Sequence, residues 1–226
     1  MVNNTDRALV VLSGGQDSTT CLYWALRRFG EGNVATVSFD YGQRHRVELQ
    51  CAARIALNAS VSNACLPIDT FAALGGDALT DTDIVVDNAV SASRELPNTF
   101  VPGRNLVFLT FAAAFAYRHG IDHLVTGVAQ TDYSGYPDCR EETLESLQQT
   151  LRLGMESNVT LHAPLMYLSK KETVELAQQL GCLAAMADTH TCYNGERPPC
   201  GSCPACALRA KGFAEAGVAD PLLPVP

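Results

Sequence analysis

Three short apolar runs, separated by two stretches of helical pattern, constrain this chain more than anything else in it. "ALVVL" has the character of a buried strand and stops at "SGGQD". From about Ser18, "STTCLYWALRRFG" can put Leu22, Ala25, Leu26 and Phe29 on one helical face, with Gly30 as the stop. "NVATVSFD" reads as a second strand, "RVELQCAARIALN" as a second amphipathic helix and "ACLPID" as a third strand. That βαβαβ order calls for a parallel sheet covered by helices.

The pattern continues through "RNLVFLTFAAAFAYRHG", a strongly apolar helix expected to be buried, and "IDHLVTGV", a fourth strand. A polar loop, "AQTDYSGYPDCR", leads to the helix "EETLESLQQTLRLG", and "VTLHAPL" is a fifth strand. "SKKETVELAQQLG" then opens with a capping box, Ser169 as cap and Glu172 three positions on. The expectation is an open, mostly parallel five-stranded sheet with helices on both faces. With 226 residues, 47% of them hydrophobic, the chain supplies one core, so a single α/β domain over 1–226 is expected. The polar segment 70–103 is long for a connection in a compact domain and fits a lid, a site wall or a disordered insertion.

Composition narrows the setting. The apolar stretches are short or broken by charge, so no membrane span is expected, and "MVNNTDRALVV" does not read as a secretion signal. The net charge of −8, with thirteen arginines and three lysines, disfavours a polynucleotide as main partner. A small anion held by local arginines and helix ends remains compatible with it. Nine cysteines suggest disulfides at first sight, but four are bunched near the C-terminus, which points to reduced thiols and one metal cluster in a cytoplasmic protein.

Those four, Cys192, Cys200, Cys203 and Cys206, stand in "CYNGERPPCGSCPAC". The C-x2-C-x2-C run lets three thiolates converge, and the seven-residue loop after Cys192 can return the fourth to complete a tetrahedron. Four sulfurs leave no open position, so the segment 188–216 is expected to bind a structural zinc, with an iron–sulfur cluster as the rival. Arg197, Arg209 and Lys211 are expected to offset the negative charge of such a centre.

"SGGQDS" sits between the first strand and the first helix. It fits a tight turn or a phosphate cradle: Gly14 and Gly15 let amides approach an anion, the helix end adds free N–H groups, and Ser13 and Ser18 add hydroxyls. It is neither GxxxxGK[ST] nor GxGxxG. Asp17 beside phosphates would repel them unless a cation lies between, so a functional Asp17 implies Mg2+; a plain helix cap is the alternative.

"SGGQDSTTCL", "FDYGQRH", "VPGRN", "DYSGYPDCR", "PLMYLSKKET" and the four-cysteine tail resemble the N-type ATP pyrophosphatases and, among them, the 7-cyano-7-deazaguanine synthase branch of queuosine (preQ0) biosynthesis. The resemblance covers nearly the whole chain and is weakest over residues 70–97. It implies an adenine nucleotide alpha hydrolase-like fold and a cytoplasmic C–N ligase acting on 7-carboxy-7-deazaguanine, ATP and ammonia. The carboxylate is adenylated, the amide forms, and a second adenylation and dehydration give the nitrile, with AMP and pyrophosphate released.

By that resemblance Leu12, Ser13, Gly14, Gly15, Gln16, Asp17 and Ser18 surround the nucleotide, with Asp17 as the magnesium contact. Lys170 and Arg104 are the cations expected to stabilise developing negative charge, each with a solvated helix-end charge as the alternative. Tyr41, Gln43, Arg44 and His45 follow the second strand on the same edge and are expected to help form the nucleotide site, His45 fitting either proton transfer or a structural hydrogen bond. Asp132, Tyr133, Tyr136, Asp138 and Arg140 carry the groups a deazaguanine carboxylate needs: an acceptor for its ring N–H and amine, an aromatic face and a guanidinium. Rival functions are an amide-only ligase, a tRNA-thiolating or deazaguanine-transfer relative, and a zinc-stabilised nucleotide-binding regulator without turnover. The apolar crossover helix fits the interior of a monomer or the interface of a homodimer.

Overall fold

The first strand, β1 (Ala8–Val11), lies at the centre of a parallel sheet and sends its side chains alternately to two cores. Ala8, Val10 and Leu12 face one layer of helices and Leu9 the other. The computed structural model describes residues 6–87, 96–131 and 136–223. Beside β1 lie β2 (Val34–Asp40) and β3 (Ser62–Pro67) on one side, β4 (His123–Val125) and β5 (Thr160–His162) on the other, in the order β3-β2-β1-β4-β5. Every pairing is parallel, so the expected "mostly parallel" sheet is wholly so among the described residues.

The chain thus winds outward from β1 to β3, returns, and winds outward again through β4 and β5. Right-handed crossovers then put the two sets of helices on opposite faces. α1 (Gln16–Phe29) and α2 (Val47–Asn58) bury Leu22, Ala25, Ile55 and Ala56 against one face. α4 (Arg104–Arg118) and α5 (Glu141–Met155) bury Ala112, Ala113, Ala116 and Leu151 against the other, while the five-residue α3 (Thr70–Leu74) contributes Phe71. α6 (Lys170–Gln179) starts with the expected capping box: Ser169 Oγ accepts from the Glu172 amide and the Glu172 side chain accepts from the Ser169 amide. α7 (Pro204–Glu215) packs behind α6.

One expectation fails in part. α4 is not buried all round: Leu109, Ala112, Ala113 and Ala116 face the sheet, whereas Phe111 and Tyr117 are 48% and 60% exposed. A helix laid on one face of a sheet covers only one stripe of its surface, whatever its composition. The segment 70–103 is not structureless where it is described. Asp77 accepts bonds from the Leu79 and Thr80 amides, and Ile84 and Val86 pack against the C-terminal cysteines. Residues 88–95 lie outside the described part.

Candidate functional site

The strand order reverses between β1 and β4, and in open parallel sheets the crevice beyond the carboxyl ends of such a pair is where ligands bind. Here it is a cleft of about 740 Å³. The loop after β1 forms its floor, the start of α4 and the segment 136–140 one wall, and the start of α6 with residues 190–211 the other.

The β1–α1 loop is held in place from behind. Gly14 has φ +87°, and a Cβ there would lie 2.3 Å from the Glu48 carbonyl oxygen and 2.8 Å from the Ala52 amide, so only glycine lets the loop lie against α2. The His190 amide donates to the Gly14 carbonyl at 2.9 Å, tying the C-terminal segment to the same loop. Ser13 and Ser18 hydroxyls sit 3.0 Å apart, and Ser18 Oγ accepts from the Ser13 amide at 3.2 Å. α1 begins two residues earlier than its pattern indicated, because Gly15 is extended (φ −86°, ψ 170°) and Gln16 is already helical. The free N–H groups of the first turn, at the positive end of the helix dipole, therefore open on the cleft.

Lys170 reaches across from α6, its Nζ 2.7 Å from Asp17 Oδ2. Arg104, the first residue of α4, stands 5.6 Å from the centre of the Tyr41 ring and donates to Tyr41 Oη at 3.3 Å. Burial pushes the Tyr41 phenol well above its usual range although Arg104 pulls the other way, so Tyr41 stays a neutral partner. Tyr136 is buried, with Oη 2.6 Å from Thr99 Oγ1. Burial also raises its phenol, partly countered by Thr99 and Arg104.

Of the residues singled out from sequence, Ser13, Gly15, Gln16, Asp17, Ser18, Tyr41, His45, Arg104, Tyr136, Arg140 and Lys170 line this one cleft. Five others do not. Leu12 is fully buried in the core, and Gly14 faces α2. Gln43 is buried within its own turn, accepting from the Tyr41 amide and donating to the Phe39 carbonyl and Glu48. Arg44 donates to the carbonyls of Asp81 and Ile84 and so pins the segment after α3. Asp138 is buried and accepts from the Asn105 amide at 3.1 Å, serving the start of α4. Asp132 and Tyr133 lie outside the described residues.

Sequence reading missed Glu48, Thr99, His190, Thr191 and Tyr193, all in the cleft wall. Glu48 and Thr99 belong to no run of distinctive composition, and in His190, Thr191 and Tyr193 the neighbouring cysteines drew the reading to the metal. Only the fold brings them together.

The four C-terminal cysteines converge, their sulfurs all within 4.8 Å of one another and Cys200 and Cys206 Sγ 3.9 Å apart. Sulfurs 2.3 Å from a tetrahedral ion would be separated by about 3.8 Å, so the set fits a metal without a fifth group. The expected charge compensation is different from that read in sequence. Arg209 is buried in a two-pronged pair with Asp220 (2.6 and 2.8 Å), Arg197 donates to Cys51 Sγ and the Ala187 carbonyl, and Lys211 pairs with Glu215. Backbone amides, such as that of Cys203 on Cys200 Sγ at 3.3 Å, face the sulfurs instead.

Four buried side-chain atoms lack a hydrogen-bond partner among the described residues, and three of them belong to cleft residues: Gln16 Nε2, Asp17 Oδ1 and His45 Nδ1. Such atoms are costly to leave unpaired, and their concentration in one cleft marks a place built for a polar ligand. An orphaned carboxylate oxygen next to a helix N-terminus also suits a cation between Asp17 and bound phosphates.

Residues 7–217 match the family model described as queuosine biosynthesis protein QueC. A 7-cyano-7-deazaguanine synthase of Chromobacterium violaceum is 72% identical over 218 residues, 96% of this chain and 93% of that one. One from Laribacter hongkongensis is 64% identical over 222 residues, 98% of this chain and 96% of that one. A crystal structure titled as a predicted subunit of tRNA methyltransferase from Methanocaldococcus jannaschii aligns with a TM-score of 0.50 at 16% identity, covering 76% of this chain and 74% of its own, a likeness of fold alone.

Proposed function

The chain belongs to the QueC family of queuosine biosynthesis proteins, and from that premise we propose that it is an ATP-dependent C–N ligase converting 7-carboxy-7-deazaguanine and ammonia to 7-cyano-7-deazaguanine. The observation that carries this reading is the Asp17–Lys170 pair at the mouth of α1, with Asp17 Oδ1 left buried and unpartnered. A phosphate loop without its own lysine, but with a carboxylate and a lysine brought from another helix, suits displacement at the α-phosphate with pyrophosphate leaving.

In this reading the α1 amides, Ser13 and Ser18 hold the pyrophosphate portion. Asp17 holds Mg2+, which would neutralise phosphate charge. Lys170 and Arg104 lie where negative charge grows on the transferring group, and Arg104 is kept oriented by Tyr41. Tyr136 offers its ring to the heterocycle and Arg140 its guanidinium to the carboxylate. Cys192, Cys200, Cys203 and Cys206 hold zinc, whose role is to fix the segment that forms one wall of the cleft. The same chain, acting as one domain in the cytoplasm, performs both activations in the one loop, since the carboxylate oxygen and then the amide oxygen each attack the α-phosphorus of a fresh ATP.

Purified protein given Mg-ATP, ammonium and 7-carboxy-7-deazaguanine is expected to yield AMP, pyrophosphate and the nitrile, read by mass spectrometry. Formation of ADP and phosphate, or an unchanged deazaguanine, refutes the proposal. Asp17→Asn should abolish turnover while metal content and the unfolding transition stay as in the wild type.

A further inference from the structure

His45 is 6% exposed and lines the cleft, yet adenylation makes no use of it. Its Nε2 lies 3.2 Å from Glu48 Oε2. Glu48 is itself fixed: Gln43 Nε2 donates to Oε1 at 3.1 Å, and Gln43 is anchored in turn to the backbone of Phe39 and Tyr41. A neutral imidazole has one N–H, and a carboxylate on Nε2 draws it there, so the lone pair is left on Nδ1. Nδ1 is buried without a partner. The Glu48 carbonyl packs directly on Gly14, which places this pair against the phosphate loop.

We propose that His45 Nδ1 is the proton acceptor of the nitrile-forming step and that Glu48 is its positioning residue. The inference rests on the function proposed above. Attack of the amide oxygen on ATP expels pyrophosphate, and loss of one of the two amide protons to solvent leaves AMP on the oxygen and an =N–H on the carbon. His45 takes that proton, the N–H electrons become the third carbon–nitrogen bond, and the C–O bond breaks with its electron pair leaving on AMP. The base is needed here in particular because the imine proton must leave as C–O cleaves, and His45 stands in the cleft wall beside Tyr193, whose ring is 6.2 Å from its own.

The test is a product ratio. Wild type, His45→Gln and Glu48→Gln are given Mg-ATP, ammonium and the carboxylate, and the amide and nitrile released are quantified by mass spectrometry. For His45→Gln the amide-to-nitrile ratio is expected to rise at least tenfold, consistent with general-base contributions on the order of 10²-fold, and added imidazole should bring it back down. Glu48→Gln should raise the ratio less and lower kcat without raising KM for ATP. An unchanged ratio, complete loss of both products, or a raised KM for ATP as the main effect would overturn the assignment. If the wild type itself makes no nitrile, the proposed function fails; if it does and the variants keep its ratio, the pair alone fails.

Discussion

Gly212→Ala tests whether helix packing behind the cleft sets the position of Lys170. Gly212 lies on the buried face of α7, and a Cβ there would sit 2.9 Å from Lys170 Cβ, 3.0 Å from its carbonyl oxygen and 3.1 Å from its carbonyl carbon. Two of those neighbours are backbone, so a rotamer change gives no relief, and the first turn of α6 must move. Restoring contact distances of about 3.5–4 Å requires a shift of roughly 0.5–1 Å. Overpacking costs about 1–3 kcal/mol, while replacing an interior helical glycine by alanine returns about 1 kcal/mol. The net loss is about 0–2 kcal/mol, a fall in Tm of at most about 8 °C for a chain of this size. Activity should suffer more. Lys170 Nζ is 2.7 Å from Asp17 Oδ2, and a misplacement on the order of 1 Å costs about 10²-fold in rate. The expected result is kcat lowered 10- to 100-fold by AMP release, on the order of the misplacement penalty, with metal content unchanged. Gly154→Ala in α5, where a Cβ meets nothing within 4 Å, should leave kcat alone and, if anything, raise Tm. Wild-type kcat in Gly212→Ala would refute the packing argument, as would a loss of Tm much beyond about 8 °C.

Asp220→Ala strips a carboxylate from Arg209, both side chains being under 10% exposed, and should cost about 3–5 kcal/mol in urea unfolding because a buried guanidinium is left uncompensated. The exposed Lys171–Glu175 pair should contribute under about 1 kcal/mol by the same measurement. Cys203→Ser should lower zinc content and Tm together; a variant that stays folded and metal-free but fails only in turnover would show the cluster is not structural. His162 is held down at about pH 4, first by burial and then by His123 and Arg28. The unfolded chain binds that proton near pH 6.5, so His162 contributes stability that is complete above that value and lost as pH falls towards 4. In urea titrations His162→Asn should therefore flatten the acid limb between those values, and parallel limbs would refute the assignment.

The fold was legible where local pattern and topology agree. β1, α1, β2 and α2 could be read because short apolar runs alternating with stretches of 3.6-residue period, punctuated by glycine, leave little choice of architecture, and the capping box of α6 is a purely local device. The four cysteines were legible for the same reason, since their spacing alone brings the sulfurs together. What escaped was contact between segments distant in sequence. Arg209 looked like a counter-charge for the cluster because it is close in sequence, yet Asp220 takes its Nε and Nη2, and Thr189 and Thr191 take its Nη1. Gln43 and Arg44 looked like ligand groups because they follow a strand end, but the turn needs Gln43 for its own amides and the segment after α3 needs Arg44. Charge and hydrogen-bond capacity are visible in a sequence; whether the fold has already used them is not.

That distinction bears on how a chain of net charge −8 could present the polyanion seat proposed above. Outside the cleft, arginines are tied to carboxylates or carbonyls, as Arg44, Arg46, Arg54 and Arg152 are, and Arg209 in the cleft wall is paired with Asp220. At the cleft, Arg104 faces a neutral tyrosine, and Lys170 faces a carboxylate whose second oxygen is unpartnered. Lys170 and Arg104 come from helices on opposite faces of the sheet, so the loop after β1 needs no lysine of its own: the reversal of strand order between β1 and β4 opens the crevice into which both helices deliver their first residue. Positive charge is thereby focused by topology at one edge, against the sign of the whole molecule, which is the condition under which an acidic protein can hold phosphates without attracting nucleic acid.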